Sequence, residues 1–447
     1  MGSVVVDPRS KVDLQRPLTP VYILRGHTAC INTLSFSNDA TTLYSGDAEG
    51  WIAVWDLTTF RPRLFWKAHQ AGILTLQQFD NNGTKLVTHG RDNMIRHFTI
   101  PSRASTIKSL TRAGATSVPS PTHPSPANLI TSDWEIQVNS LAFSQMSLLK
   151  INDDTKTVDH HDQALIAVPA LTKDEWVDIF HVPSKTRLHR SIGFNAFPIN
   201  DKTGTVMALS LFTKPVNDCT TSGCLFLLTA YEDGRISLFK FTGSNETAFN
   251  VPLSGPPRIE KGQHWQLVWQ VKQHREAVMS IALCPDKNSL WSCGADHYLC
   301  KYEMFQKDVQ QSDETNDTNE FNKVKVHRLE TPYAGKSCLS IREDGKLLAA
   351  TGWDGEVRLY SAKTGKALAV LSYHRSSLQT CAFAPLSNSS RLLTFNQQQN
   401  TVERASEGDD DESSTSNEGD DNESRRAWLA VGGKDERISL WEPYPVS

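Results

Sequence analysis

The chain has 447 residues, a formal net charge of −4 and 21% charged residues. That balance gives no global basic footprint, so direct binding to nucleic acid is not expected. No apolar run approaches the roughly 20 residues of a membrane helix, and the first residues lack a secretory h-region, so neither a membrane nor a secretory role is expected.

Residues 1–17 (MGSVVVDPRSKVDLQRP) are expected to be a flexible N-terminus. Leu18–Arg25 (LTPVYILR) reads as a lone strand. From Arg25 to Leu57, RGHTACINTLSFSNDATTLYSGDAEGWIAVWDL holds two alternating apolar runs separated by polar turns. Strict alternation marks strands rather than helices, and no long amphipathic helix is predicted anywhere in the chain.

The block returns. Thr88–Phe98 (THGRDNMIRHF), Thr229–Phe239 (TAYEDGRISLF), Ser292–Tyr302 (SCGADHYLCKY), Ala350–Tyr360 (ATGWDGEVRLY) and Val431–Trp441 (VGGKDERISLW) share one plan. Each places an acid six residues before a large aromatic: Asp92, Asp233, Asp296, Asp354 and Asp435. In the opening block Glu49 holds that place before Trp55. The weakest copy is Ala164–Phe180 (ALIAVPALTKDEWVDIF). Short strands repeating about every 40 to 60 residues predict an all-β fold, a seven-bladed β-propeller spanning residues 18–447. After Trp441 only six residues remain, too few for the fourth strand of blade 7. The N-terminal strand is therefore expected to complete the last blade and close the ring.

Within a blade, an imidazole, a hydroxyl, a turn carboxylate and an indole can form one hydrogen-bonded set. Blade 1 offers His27, Ser45 and Trp55. Blade 2 offers His69, Thr88 and Asp92, but Phe98 has no donor. Blade 5 offers His274, Ser292 and Asp296. Blade 7 offers His374, Asp435 and Trp441, while Val431 lacks the hydroxyl. Asp233 and Asp354 hold the turn position in blades 4 and 6. The residue before each turn acid is expected to face one broad surface, which makes Arg91, Glu232, Trp353 and Lys434 candidate partner-binding residues, with Ala295 at the same place in blade 5. For Trp353, packing between blades is the competing role.

Three insertions, 101–128, 306–322 and 403–426, are expected to be disordered. The first is rich in Ser, Thr and Pro, and Ser120-Pro121 and Ser125-Pro126 fit proline-directed kinases. The last packs nine carboxylates between Glu407 and Glu423. It reads as a solvated run or a tether for a basic partner, with Ser406 and Thr415 suited to acid-directed kinases.

The eight cysteines form no Cys-x-x-Cys pair and read as reduced, mostly buried thiols. No catalytic residue, cofactor or metal site is expected. The adjacent His160, His161 and Asp162, with His181, lack the further ligands an ion needs. There is neither a Gly-rich phosphate loop nor a Gly-x-Ser-x-Gly elbow.

Gly26-His27, Trp55-Asp56 and the repeated Asp-turn-aromatic ladder resemble the WD-repeat family. The opening block, Trp66-Lys67-Ala68-His69 and HGRDNMIRHF are further similar to the fungal ASTRA-associated protein 1 family, whose animal relatives are called G-protein beta-subunit-like protein 1. That resemblance runs from about Pro20 to Trp441. It implies a non-catalytic, nuclear scaffold subunit of the ASTRA complex, with the cytoplasm as a second compartment. It implies a link to chromatin remodelling and to the co-chaperone-assisted maturation of phosphatidylinositol-3-kinase-related kinases, with the protein subunits of those assemblies as partners. Two alternatives stand beside it. A substrate receptor of a cullin ubiquitin ligase often ends a repeat in Trp-Asp-x-Arg, and Trp55-Asp56-Leu57-Thr58 lacks the Arg. A G-protein-beta-like signalling scaffold carries an N-terminal coiled coil, and residues 1–19 have two prolines and no heptads.

Overall fold

The computed structural model describes residues 18–102, 119–126, 129–140, 143–151, 163–194, 196–197, 202–214, 223–251, 260–305, 324–386 and 427–443. The N-terminal segment 1–17, the insertions 306–322 and 403–426, and His160, His161 and Asp162 lie outside them.

The chain enters through β1 (Tyr22–Arg25). Blade 1 follows as β2 (Ile31–Phe36), β3 (Thr42–Asp47), β4 (Trp51–Asp56) and β5 (Arg61–Lys67). Blade 2 is β6 (Ile73–Gln78), β7 (Lys85–Gly90), β8 (Met94–Thr99) and β9 (Thr131–Gln137). Blade 3, the weak repeat, is β10 (Ser147–Lys150), β11 (Ala164–Pro169), β12 (Val177–Val182) and β13 (Thr186–Ile192). Blade 4 is β14 (Val206–Lys214), β15 (Cys224–Tyr231) and β16 (Arg235–Phe241), then a one-turn helix α1 (Asn245–Phe249) and β17 (Trp265–Lys272). Blade 5 is β18 (Val278–Leu283), β19 (Ser289–Gly294), β20 (Tyr298–Glu303) and β21 (Lys325–Glu330). Blade 6 is β22 (Lys336–Ile341), β23 (Leu347–Gly352), β24 (Glu356–Ser361) and β25 (Ala367–Ser372). Blade 7 has β26 (Leu378–Phe383), β27 (Leu429–Gly433) and β28 (Arg437–Trp441).

Among the described residues these make seven four-stranded antiparallel sheets. The seventh is completed by β1, which pairs antiparallel with β28, Leu24 opposite Ile438. The molecule is thus a seven-bladed propeller whose first strand closes its last blade.

Apolar packing is shared among seven clusters, one at each junction between neighbouring blades. The repeated aromatic explains why. Trp55 packs with blade 7 residues, Phe98 with blade 1, Phe180 with blade 2, Phe239 with blade 3, Tyr302 with blade 4, Tyr360 with blade 5 and Trp441 with blade 6. Each blade pushes this side chain into the blade before it, so a single sheet has no complete core of its own. In blades 1, 2, 3, 4 and 6 the register with the outer strand shifts at that same aromatic. The bulge bends the outer strand around the bulky ring. Leu24, 1% exposed, joins the junction between blades 7 and 1.

The turns between second and third strands are tight. Gly50 sits at φ +89°, and a Cβ there would strike the His69 carbonyl oxygen, so glycine is required.

In the first insertion, within the described residues 119–126, Ser125 exchanges hydrogen bonds with Phe65 of β5. One expectation is corrected. Cys224 is disulfide-bonded rather than reduced, whereas the six other described cysteines are free thiols.

Candidate functional site

Four loops leading into an inner strand deliver a histidine to a buried polar set. In blade 1, His27 Nδ1 lies 2.7 Å from Asp47 Oδ2, and its Nε2 lies 2.7 Å from Ser45 Oγ. Trp55 Nε1 donates to that same hydroxyl at 2.8 Å. One proton assignment satisfies every atom: Nδ1–H donates to the carboxylate, the serine donates to Nε2 and the indole donates to the serine. The acid is Asp47, on the last position of β3, and not Glu49. Asp47 is fully buried and also accepts the amides of Glu49 and Trp51, at 3.0 and 2.9 Å, while Glu49 is exposed.

In blade 2, His69 meets Asp92 and Thr88, both at 2.8 Å, and Arg96 Nη1 donates to Asp92 at 2.7 Å. Burial pushes the His69 imidazole down, against the pull of Asp92. Burial alone would raise Asp92, but the bonds from His69 and Arg96 outweigh it and hold the carboxyl well below the usual range. In blade 5, His274 meets Asp296 at 3.0 Å and Ser292 at 2.7 Å, with Tyr302 OH 3.4 Å from Ser292 in place of an indole.

Blade 7 departs from the sequence expectation. The hydroxyl that Val431 lacks comes from Ser439, on β28: His374 Nε2 is 2.7 Å from Ser439 Oγ, and Trp441 Nε1 donates to it at 2.7 Å. His374 Nδ1 lies 2.8 Å from Asp435. Val431 and Ser439 are cross-strand partners, as are Ser45 and Ala53 in blade 1. The hydroxyl has moved across one rung of the sheet without leaving reach of the imidazole.

Asp233 and Asp354 belong to no histidine set. Asp233 accepts from Arg235 Nε at 2.6 Å, and Asp354 from Arg358 Nη2 at 2.7 Å. Each clamps its own turn. Blade 4 repeats the Arg-Ile-Ser-Leu-aromatic run of blade 7, yet among the described residues no histidine bonds its serine, and the buried Ser237 hydroxyl has no partner there.

These sets pin the turns that shape one face of the ring. The first residue of β22 lies opposite the last of β23, Lys336 against Gly352. Turns from second to third strand therefore share a face with the loops from each outer strand to the next blade. Arg91, Glu232, Trp353 and Lys434 all lie there. Arg91 is exposed, with its guanidinium 4.5 Å from the Phe143 ring centroid. Glu232 is exposed and accepts from the Thr205 amide and hydroxyl, both at 3.2 Å. Trp353 is 44% exposed, and one edge of its ring covers Gly335. Lys434 is exposed.

Sequence reasoning missed four further apolar residues on this face: Phe143, Leu171, Phe194 and Tyr333, all exposed. Cations stack on several of its rings, Arg358 over Tyr333 at 4.3 Å and Lys261 over Phe194 at 4.9 Å. Three of the four, Phe143, Phe194 and Tyr333, sit in loops between blades, where no repeat marks a position. The recurring arrangement is a flat aromatic beside a cation, which suits protein recognition rather than a reaction. Among the described residues no three His, Cys, Asp or Glu side chains converge as a metal site. His181 instead bonds Ser184 at 2.7 Å.

The family model for the WD domain, G-beta repeat, matches residues 18–56 and 324–361. ASTRA-associated protein 1 of Penicillium rubens is 31% identical over 97% of this chain and 99% of its own length. The protein of that name from Aspergillus niger is 31% identical over 96% of this chain and 98% of its own. The one from Schizosaccharomyces pombe is 28% identical over 95% and 99%.

Proposed function

The chain belongs to the ASTRA-associated protein 1 family of WD-repeat proteins, and from that membership we propose that it is a non-catalytic scaffold subunit of an ASTRA complex. Its work is to hold protein subunits together in chromatin remodelling and in the co-chaperone-assisted maturation of phosphatidylinositol-3-kinase-related kinases. Its working compartment in this reading is the nucleus.

The observation that carries the reading is the presence of five exposed apolar side chains on one face. Phe143, Leu171, Phe194, Tyr333 and Trp353 all lie on the face formed by the pinned turns. Large exposed aromatics beside arginine are what protein interfaces use as anchors. The polar histidine sets are buried and fully engaged, which suits rigidity rather than turnover.

The test is affinity purification of the full chain at gentle salt, followed by mass spectrometry. The reading expects very large kinases and chaperone adaptors in the eluate, and their loss when Trp353 and Tyr333 are both replaced by alanine. Recovery of cullin adaptors instead would overturn it.

A further inference from the structure

Blade 1 ends in β5, an edge strand. Among the described residues β4 is its one strand partner, so its other flank presents backbone donors and acceptors. A short strap from the Ser/Thr/Pro insertion lies on that flank. The Ser125 amide donates to Phe65 O at 2.7 Å, and the Phe65 amide donates to Ser125 Oγ at 2.9 Å. Ser125 is only 7% exposed. Pro124 and Pro126 flank it, and neither has an N–H, so the pairing cannot extend along the edge. The strap covers the strand at one residue and ends there.

Ser120 differs. It closes a small exposed turn with His123, and its hydroxyl points to Thr122. Both serines precede proline, but only Ser125 has its hydroxyl committed to the sheet.

We propose that Ser125 is the target of a proline-directed protein kinase, and that its phosphorylation unlatches the strap at Ser125 from β5 and exposes the outer edge of blade 1. In the modification, Ser125 Oγ bonds to the γ-phosphorus of ATP. The bond from that phosphorus to the β,γ-bridging oxygen breaks, ADP leaves and the hydroxyl proton passes to the kinase base. The product carries close to two negative charges and three more oxygens. They have to enter a place where a hydroxyl now meets one amide under nearly full burial. Burying that charge with so few donors is unfavourable, so the docked state is lost. The strap is held to β5 at Ser125 by two hydrogen bonds, so it opens locally far more often than the propeller unfolds, which gives the kinase its access. Two cations stand two residues either side of Phe65 on β5: Arg63, whose Nη1 donates to Pro101 O at 2.8 Å, and Lys67, whose Nζ lies 6.0 Å from the Trp51 ring centroid.

The experiment treats the full-length protein with a proline-directed kinase and magnesium ATP. Mass spectrometry locates the phosphate, and hydrogen exchange is followed in peptides covering Arg61–Lys67. Ser120 is expected to be modified first and Ser125 later. Exchange at Phe65 should then rise by about tenfold or more only once Ser125 carries phosphate. Ser125→Ala should block that second event, while Ser120→Ala should leave it intact. The proposal is overturned if Ser125 stays unmodified after Ser120 is complete. It is also overturned if exchange in β5 is unchanged or slower with Ser125 phosphorylated, the result expected if Arg63 or Lys67 held the phosphate down. A general rise of exchange across all seven blades would overturn it too, because the release would then not be local.

Discussion

His374 on the loop into blade 7 bonds Ser439 on the third strand of that blade, at 2.7 Å, although the corresponding hydroxyls of blades 1, 2 and 5 sit on the second strand. The histidine selects a hydroxyl by distance, and two positions of one rung lie within its reach. Ser439→Ala leaves both the imidazole nitrogen and the Trp441 indole N–H without a partner in a buried site. We expect a loss of about 2–4 kcal/mol in urea unfolding, counting two orphaned groups. Adding Val431→Ser should restore about half of that by rebuilding the arrangement of blade 1. A double variant no more stable than Ser439→Ala would contradict the exchange of roles.

Asp47 and Glu49 separate cleanly by mutation. Asp47 serves three donors while fully buried, so Asp47→Ala should cost about 2–4 kcal/mol. Glu49→Ala at an exposed turn should stay within about 0.5 kcal/mol. Thermal melts of both variants decide between the two acids.

Closure of the ring rests on Leu24. Its side chain is 1% exposed and packs where blade 7 meets blade 1. Leu24→Ala should cost about 2–5 kcal/mol. Val21→Ala, at 52% exposure just before the strand, should change little. Deleting residues 1–25 should lower the melting temperature more than either. A truncated protein that melts with the intact one would show that β1 does not seal the ring.

Acid should weaken the fold through two buried histidines. Burial lowers His89 from 6.5 to about 3 and His189 from 6.5 to about 4. Folded, both are neutral at pH 5; unfolded, both are mostly protonated. The unfolded chain then binds more protons between about pH 6.5 and pH 4, so stability falls as pH drops through that window. Between pH 7 and pH 5 each histidine should cost about 2 kcal/mol. Asp92, Asp296 and Asp435 are held below their usual range, so their contribution is lost only below about pH 4. His189→Gln keeps a donor for the Ala248 carbonyl and should remove about 2 kcal/mol of the pH dependence of stability between 7 and 5, leaving the part due to His89.

Trp353 separates binding from stability. Its ring is 44% exposed, so Trp353→Ala should reduce recovery of protein partners by about thirtyfold while the melting temperature moves by only about 2 °C. A large thermal shift without selective loss of partners would assign the ring to covering Gly335.

The sequence by itself determined the architecture. Period-two alternation fixes strands, and the aromatic at the end of each third strand repeats because every junction needs the same knob. Even the closing strand was legible, since a strand-like run with no blade of its own preceded the first repeat. What only the tertiary structure decided is which neighbours meet across rungs and loops. Glu49 has the right spacing, yet Asp47 has the right direction, because a turn aims its side chains in three dimensions and spacing along the chain does not. Ser439 replaces Val431 because two cross-strand positions stand at similar distance from one imidazole. Phe143, Phe194 and Tyr333 lie in loops without periodicity, so only folding shows that they share a face with Trp353. Ser125 lies in a stretch whose composition reads as disordered, but a free strand edge supplies the partner that composition cannot reveal.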